Sequence, residues 1–127
     1  MAEYELLVGV EIPVVNADTY HRFTEISRRS GDYAISGGAF SISFEADIIT
    51  AARLAFFAVS DRAVLATSTA DALLGKPLND ETIATAGQMV ADELDFLADL
   101  YNGIAAKRQI TKVLTQRLLS QFIGRGQ

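Results

Sequence analysis

The 127-residue chain has no cysteine and no tryptophan, only two prolines and a single histidine, His21. Without cysteine it forms no disulfide, thiolate metal site or iron–sulfur ligation of its own. One histidine excludes two-histidine zinc sites and leaves any histidine-dependent triad with one candidate base. That base lies in an alternating stretch between Tyr20 and Arg22, the setting of an ordinary strand residue. No run of about 18 apolar residues occurs, so no membrane span is expected. Bases are outnumbered 11 to 16, for a net charge of −5, which argues against a general nucleic-acid binder with its basic footprint. The start, Met1 to Glu5, is acidic and lacks the basic n-region of a signal peptide. A soluble, cytoplasmic domain is the expectation.

What is present is ordinary globular material, with 50% hydrophobic and 21% charged residues, in a length that suits one domain over residues 1–127. The first half has the period of strands. Tyr4 to Ile12 is predicted as a strand, with Leu6, Val8 and Val10 on one face and Leu7 on the other, ended by Pro13. Val14 to Thr19 is a connection. Further strands are expected from Tyr20 to Ser27, Ala34 to Glu45 and Ile48 to Val59, with Gly31-Asp32 and Glu45-Ala46-Asp47 as turns. Gly37-Gly38 inside the third run predicts a bulge or a close backbone approach. The fourth run is too apolar, Arg53 apart, to face water.

The second half has the period of helices. Thr67-Ser68-Thr69 offers caps for a short helix through Leu74, closed by Gly75 and Pro77. Asn79 or Asp80 caps a longer one, along which Ile83, Gly87, Val90, Leu94 and Leu97 recur. After Asn102-Gly103, a stripe of Ile110, Val113, Leu114, Leu118 and Phe122 marks a final helix. A sheet over 4–59 followed by helices over 67–124 predicts an α+β domain: a three- to four-stranded antiparallel sheet packed against three helices.

No complete active site is visible. The adjacent carboxylates Asp80/Glu81 and Asp92/Glu93 diverge on a helix and read as solvated faces. Gly37-Gly38 matches neither a dinucleotide fingerprint nor a phosphate-binding loop. Six acids and no base lie between Asp80 and Asp99, and five bases and no acid between Lys107 and Gln127, a pattern expected to match across two neighbouring helices. The strongest candidate is the turn Arg28-Arg29-Ser30-Gly31-Asp32-Tyr33. Its guanidiniums suit phosphate or carboxylate and its tyrosine suits a planar ligand. The alternative is an Arg–Asp lock with Tyr33 packed in the core.

Several segments resemble one family in order along nearly the whole chain. They are Val10-Glu11-Ile12-Pro13, Phe23 to Ala34 around Arg28-Arg29-Ser30-Gly31-Asp32-Tyr33-Ala34, Ala58 to Val64, Ala72 to Leu78, and Ala98-Asp99-Leu100 through Val113-Leu114. Together they resemble the C-terminal domain of the FAD-binding (medium) subunit of molybdenum hydroxylases, the carbon monoxide dehydrogenase and xanthine dehydrogenase group. The resemblance implies a domain that closes over one side of a flavin, with Arg28, Arg29, Asp32 and Tyr33 as cofactor-binding residues and Tyr20 shielding the ring. It also implies an FAD-binding domain, an iron–sulfur subunit and a molybdopterin subunit as partners, with electrons passing to FAD and substrate oxidised elsewhere. The glycine-rich FAD-binding region that precedes this domain in the family is absent from the sequence, so this chain alone is expected to bind FAD weakly or not at all, and no metal. Ala58, Ser60 and Ala63 depart from the family's glycines and proline at the corner, and Tyr101-Asn102 from its usual polar residue. The rival reading is a cofactor-free interaction module using its sheet edge or charged helices, with a homodimer as one form of it.

Overall fold

The computed structural model describes residues 4–12, 14 and 16–123. The alternation in residues 34–45 builds the middle of the sheet: Ser36, Gly38, Phe40, Ile42 and Phe44 face inward and are buried. Strand β1 (Thr19–Ser27) pairs antiparallel with β2 (Ala34–Glu45), and β2 with β3 (Ile48–Phe57). A two-residue β4 (Val64–Leu65) adds to β3, giving a four-stranded meander in the order β1-β2-β3-β4. Three helices follow: α1 (Thr67–Leu73), α2 (Asp80–Glu93) and α3 (Ile104–Ser120). The α+β architecture of antiparallel strands followed by three helices is therefore the one the periodicities predict.

The sheet differs from expectation in two places. Residues 5–12 belong to no strand, and the sheet begins at Thr19, not at Tyr4. A strand needs both a ladder and a cover for its apolar face, and the face of Leu6, Val8 and Val10 stays 75–92% exposed. The proline expected to end that strand, Pro13, lies outside the described residues. The fourth strand is instead the short β4, which carries no strand-length pattern of its own. β3 also faces water on one side: Ile49, Leu54 and Phe56 are buried, whereas Ala51 and Arg53 are exposed.

Gly37 and Gly38 in β2 make room for neighbouring side chains, and mark neither a bulge nor a close backbone approach; the register shifts lie at Ser43/Phe44 and Ile26/Ser27. A β-carbon on Gly37 would clash with the Cζ end of the Phe57 ring, and one on Gly38 would meet Leu114 Cδ2 at 3.1 Å and Leu118 Cδ1 at 3.2 Å. The outer face thus lets Phe23 and Phe57 stack, with ring centroids 5.7 Å apart, while the inner face lets α3 lie close to the sheet.

The core joins Phe40, Ile42, Leu54 and Phe56 of the sheet to Leu73, Ile83, Val90, Leu114, Leu118 and Phe122 of the helical half. The buried side of α3 is rotated from the expected stripe. Thr111, Thr115 and Lys107 are buried, whereas Ile110 and Val113 are only half-buried. The threonines tolerate burial because Thr111 Oγ1 donates to the Lys107 carbonyl and Thr115 Oγ1 to the Thr111 carbonyl, each at 2.8 Å.

Capping is partly tertiary. Asn79 Oδ1 accepts from Thr82 N at 2.9 Å and starts α2. The cap of α1 comes from the far end of α2: Glu93 accepts from Ser68 N (2.7 Å), Thr69 N (2.8 Å) and Thr69 Oγ1 (2.7 Å). Glu93 is thus a capping carboxylate and not a member of a solvated face. The other expected α2 stripe residues, Ile83, Gly87, Val90 and Leu94, are buried, while Leu97 lies beyond the helix and is 49% exposed.

Candidate functional site

The turn between β1 and β2 is built from short local bonds. Gly31 has φ +80, the left-handed region that glycine enters without a steric cost. Asp32 N donates to the Arg29 carbonyl at 3.1 Å, Ser27 Oγ to the same carbonyl at 3.0 Å, and Tyr33 N to Asp32 Oδ1 at 2.9 Å. Asp32 Oδ2 is buried and faces Arg28 Nη2 at 3.4 Å and Arg29 Nε at 3.6 Å without a hydrogen bond. The Arg–Asp lock is therefore present. Tyr33, however, is 94% exposed and does not pack in the core, so neither alternative of the sequence reading holds whole: the aspartate locks the turn and the tyrosine stays available.

Across from the turn lies the segment between α2 and α3, to which the sequence analysis assigned no functional residue. Asp99 Oδ1 accepts from Tyr101 N (2.9 Å) and Asn102 N (2.8 Å), and Asn102 Nδ2 adds a third bond at 3.0 Å. Lys107 reaches out of α3 with its side chain 7% exposed, placing Nζ 2.9 Å from Asp99 Oδ2 and 2.9 Å from the Ala58 carbonyl. Ala58 itself has φ 62, at the corner where the sequence departs from the family's glycine. The acidic and basic blocks thus meet through Asp99–Lys107, while Lys112 turns to the neutral Gln88 at 2.8 Å. Hydrogen bonding by the Tyr101 amide, then the Lys107 ammonium, holds the Asp99 carboxyl far below the ordinary aspartate value, against the opposing effect of burial.

The two segments enclose a hollow of ≈ 330 Å³ whose lining includes Arg28, Asp32, Tyr33, Tyr101, Asn102 and Lys107. Arg28 spans it, with its guanidinium carbon 4.0 Å from the Tyr101 ring centroid, close enough for a cation–π contact. The structure therefore brings together Arg28, Asp32 and Tyr33, and adds Tyr101 and Lys107, which sequence reasoning missed. Arg29 stands outside, its side chain 84% exposed and paired with Asp32. Tyr20 is remote: it lies near the start of β1, whereas the turn follows the end of that strand, and its ring packs edge-on to Phe44 at 6.1 Å. His21 is exposed on the outer face of the sheet. The signal for Lys107 was weak but present, since it is the basic residue that follows Asp99 at the start of a helix.

Together these features define an α+β domain, sheet before helices, with a one-sided hollow lined by arginine, tyrosine and a carboxylate at one end of the sheet. Residues 21–122 match the CO dehydrogenase flavoprotein C-terminal domain. The chain belongs to this family, the C-terminal domain of the flavoprotein (medium) subunit of molybdenum hydroxylases. It is 28% identical over 118 residues to the glyceraldehyde dehydrogenase medium chain of Sulfolobus acidocaldarius, covering 92% of this chain and 41% of that protein. It is 26% identical over 122 residues to the 6-hydroxypseudooxynicotine dehydrogenase complex subunit alpha of Paenarthrobacter nicotinovorans, covering 95% and 41%. Among solved structures, quinoline 2-oxidoreductase from Pseudomonas putida 86 superposes with a TM-score of 0.76 at 32% identity, covering 81% of this chain and 36% of that one. Carbon monoxide dehydrogenase from Hydrogenophaga pseudoflava superposes with a TM-score of 0.80 at 24% identity, covering 86% and 38%, which speaks for the fold alone. The chain thus spans 41% of the length of those two sequence relatives.

Proposed function

We propose that this domain closes one side of the FAD site in the medium subunit of a molybdenum hydroxylase and helps dock the iron–sulfur subunit, on the path of electrons from a molybdopterin centre to the flavin. The observation that carries the proposal is the exposed Tyr33 ring beside the Arg28–Tyr101 stack on a turn locked by Asp32. An exposed tyrosine on a turn whose backbone is locked offers a flat ring face to a planar ligand.

The residues fit part of the cofactor. A hollow of ≈ 330 Å³ is near the lower end of small-molecule sites, roughly 300–1,000 Å³, and suits one planar head group. The donor set has no glycine-rich loop for a pyrophosphate; Ser68 N and Thr69 N at the start of α1 are taken by Glu93, and Thr82 N of α2 by Asn79. Tyr33, Tyr101 and Arg28 would cover the ring while another domain binds the remainder; the bound flavin would supply the electron-accepting ring. The residues of this chain exclude water from that side and hold positive charge near it. Tyr20 and Arg29 enter the proposal only as outlying contributors. A soluble cytoplasmic complex is the setting this reading implies.

The test is a flavin titration of the complete medium subunit, with Tyr33→Ala and Asp32→Ala variants followed by fluorescence quenching and redox potential. Loss of the aromatic face is expected to weaken FAD binding by up to about tenfold, since such contacts contribute ~0.5–1.5 kcal/mol. Unchanged affinity and potential in both variants would remove the turn from the flavin site. A cofactor-free interaction module, as a homodimer or with another protein, is the second reading. It is favoured by the outer sheet face, where Phe23 is 61% exposed. Association that is unaltered by flavin and needs no FAD-binding domain would select it.

A further inference from the structure

Lys107 is buried in α3, and a cation taken out of water has to be met by partners. Both partners lie at the rim of the hollow: Nζ is 2.9 Å from Asp99 Oδ2 and 2.9 Å from the Ala58 carbonyl. Ala58 belongs to the corner where the chain leaves β3. The same corner takes a second bond from the approach to the Asp99 turn, Leu97 N to the Val59 carbonyl at 2.9 Å. The turn itself is closed from within. Asp99 Oδ1 accepts from the amides of Tyr101 and Asn102, and Asp99 N donates to the Asn102 carbonyl at 3.0 Å. Bonds of that kind give a turn its shape but not its place on the domain. The Lys107 bond gives it the place, and the side chain so placed is that of Tyr101.

Two partners compete for the Arg28 guanidinium. One is the Tyr101 ring, whose centroid is 4.0 Å from Arg28 Cζ. The other is Asp32 Oδ2, 3.4 Å from Arg28 Nη2, buried and without a hydrogen bond. A buried carboxylate oxygen left unbonded is costly, and a guanidinium this near gains by closing on it. Here it has not closed, because it is stacked on the ring. The ring contact and the charged hydrogen bond are of comparable strength, so a tether on the ring decides between them.

We infer that Lys107 is a positioning residue of the hollow. By pinning the Asp99 turn to the sheet corner it stands Tyr101 against Arg28, holds that guanidinium off Asp32, and keeps two aromatic rings, Tyr33 and Tyr101, on one rim. Lys107 acts through Asp99 and itself touches no ligand. With the tether gone, Tyr101 leaves the guanidinium and Arg28 closes onto Asp32. As a statement about flavin the inference rests on the proposed function; as a statement about the turn it concerns the chain alone.

Ring-current shifts of the Arg28 side-chain protons, read by NMR on the full chain, test the inference without flavin. Tyr101→Leu sets the value these signals take when the ring is missing. Lys107→Met keeps an unbranched apolar stem but no ammonium, and is expected to carry the Arg28 signals most of the way to that value. Asp99→Asn cuts the same tether from its other end, at a side chain 38% exposed, and should move them likewise even where the lysine variant fails to fold. Thr115→Val is the control for a merely structural effect. It removes a buried hydroxyl from α3 that bonds only within the helix in this structure, and should leave the Arg28 signals in place. In the complete medium subunit, Lys107→Met is expected to weaken flavin binding about threefold to tenfold, and no further once Tyr101 is replaced by leucine. Unmoved Arg28 signals in either folded tether variant overturn the inference and leave the flavin reading to Tyr33 and Asp32. Signals lost equally in Thr115→Val make Lys107 a structural lysine and overturn it as well. Signals lost from the tether variants alone, with flavin affinity unchanged, uphold the positioning and count against the flavin reading.

Discussion

Ala58 carries a backbone conformation that its side chain disfavours. Its φ of 62 lies in the left-handed region, where the β-carbon crowds the following carbonyl at a cost of roughly 1–2 kcal/mol. Its carbonyl accepts from Lys107 Nζ at 2.9 Å, and Lys107 also holds Asp99, so the corner is tied to the rim of the hollow. Ala58→Gly is therefore expected to stabilise the domain by about 0.5–1 kcal/mol, the relief of strain less the added freedom of the unfolded chain. Ala39→Gly, in the middle of a strand and outside the left-handed region, should instead destabilise by about 0.5–1 kcal/mol. Opposite shifts of the urea midpoint would bear out the argument; a shared direction would refute it. At this scale the sequence carried notice of the corner, since Ala58 stands where the resembled family favours glycine. It gave none of Lys107 as its partner, because the two are 49 residues apart and no local pattern links them.

At the scale of elements, the helices are joined by carboxylates acting outside their own turns. Glu93, in the last turn of α2, supplies the N-terminal cap of α1. Burial pushes its pKa up, but the Thr69 hydroxyl and the amides of Ser68 and Thr69 outweigh it, leaving the carboxyl below its ordinary 4.5. Asp99 is likewise depressed below its ordinary 3.8. A carboxylate whose folded pKa is lowered contributes stability above its unfolded pKa and loses it as the pH falls through the folded one. The domain should thus be at full strength above about pH 5 and weaken progressively below about pH 4.5. Glu93→Gln is expected to cost about 1 kcal/mol at pH 7, in the range of other lost caps, and to flatten the acid limb of the urea-midpoint profile. A variant profile parallel to that of the parent would exclude Glu93 as a contributor. The two ends of α1 and the start of α2 were legible from Thr67-Ser68-Thr69, Gly75 and Asn79, because turn and cap residues act locally, whereas the end of α2 falls at Glu93, short of the expected Leu97. The true cap of α1 was not, because a glutamate on a helix looks solvated until another helix end is brought against it.

On the scale of the whole molecule, the folded body and the N-terminal segment are energetically separable. The described core is drawn from residues 40–122, and none of the exposed apolar residues from Tyr4 to Ile12 contributes to it. Replacing Leu6, Val8 and Val10 together by serine should leave the urea midpoint within about 0.5 kcal/mol of the parent, the usual effect of surface changes. A loss of several kcal/mol would mean that the segment packs on this domain after all. The flavin proposal belongs to the same scale, since the hollow is open on one side and the chain carries no pyrophosphate-binding loop.

The sequence by itself determined the succession of strands and helices, the turn at Gly31-Asp32 and the family. Periodicity, caps and turn residues express forces acting over a few residues, and these survive in one dimension. Tertiary structure alone decided which predicted strand is outside the sheet, because alternation marks a face that wants cover without naming what covers it. It decided that Tyr33 stays in water while Asp32 locks the turn, and that Tyr20 is at the other end of the strand. It also brought Tyr101 and Lys107 to Arg28 across more than 70 residues of chain. Those pairings depend on how α3 lies close over glycine-bearing β2, and packing at that range is set by the summed shape of the core.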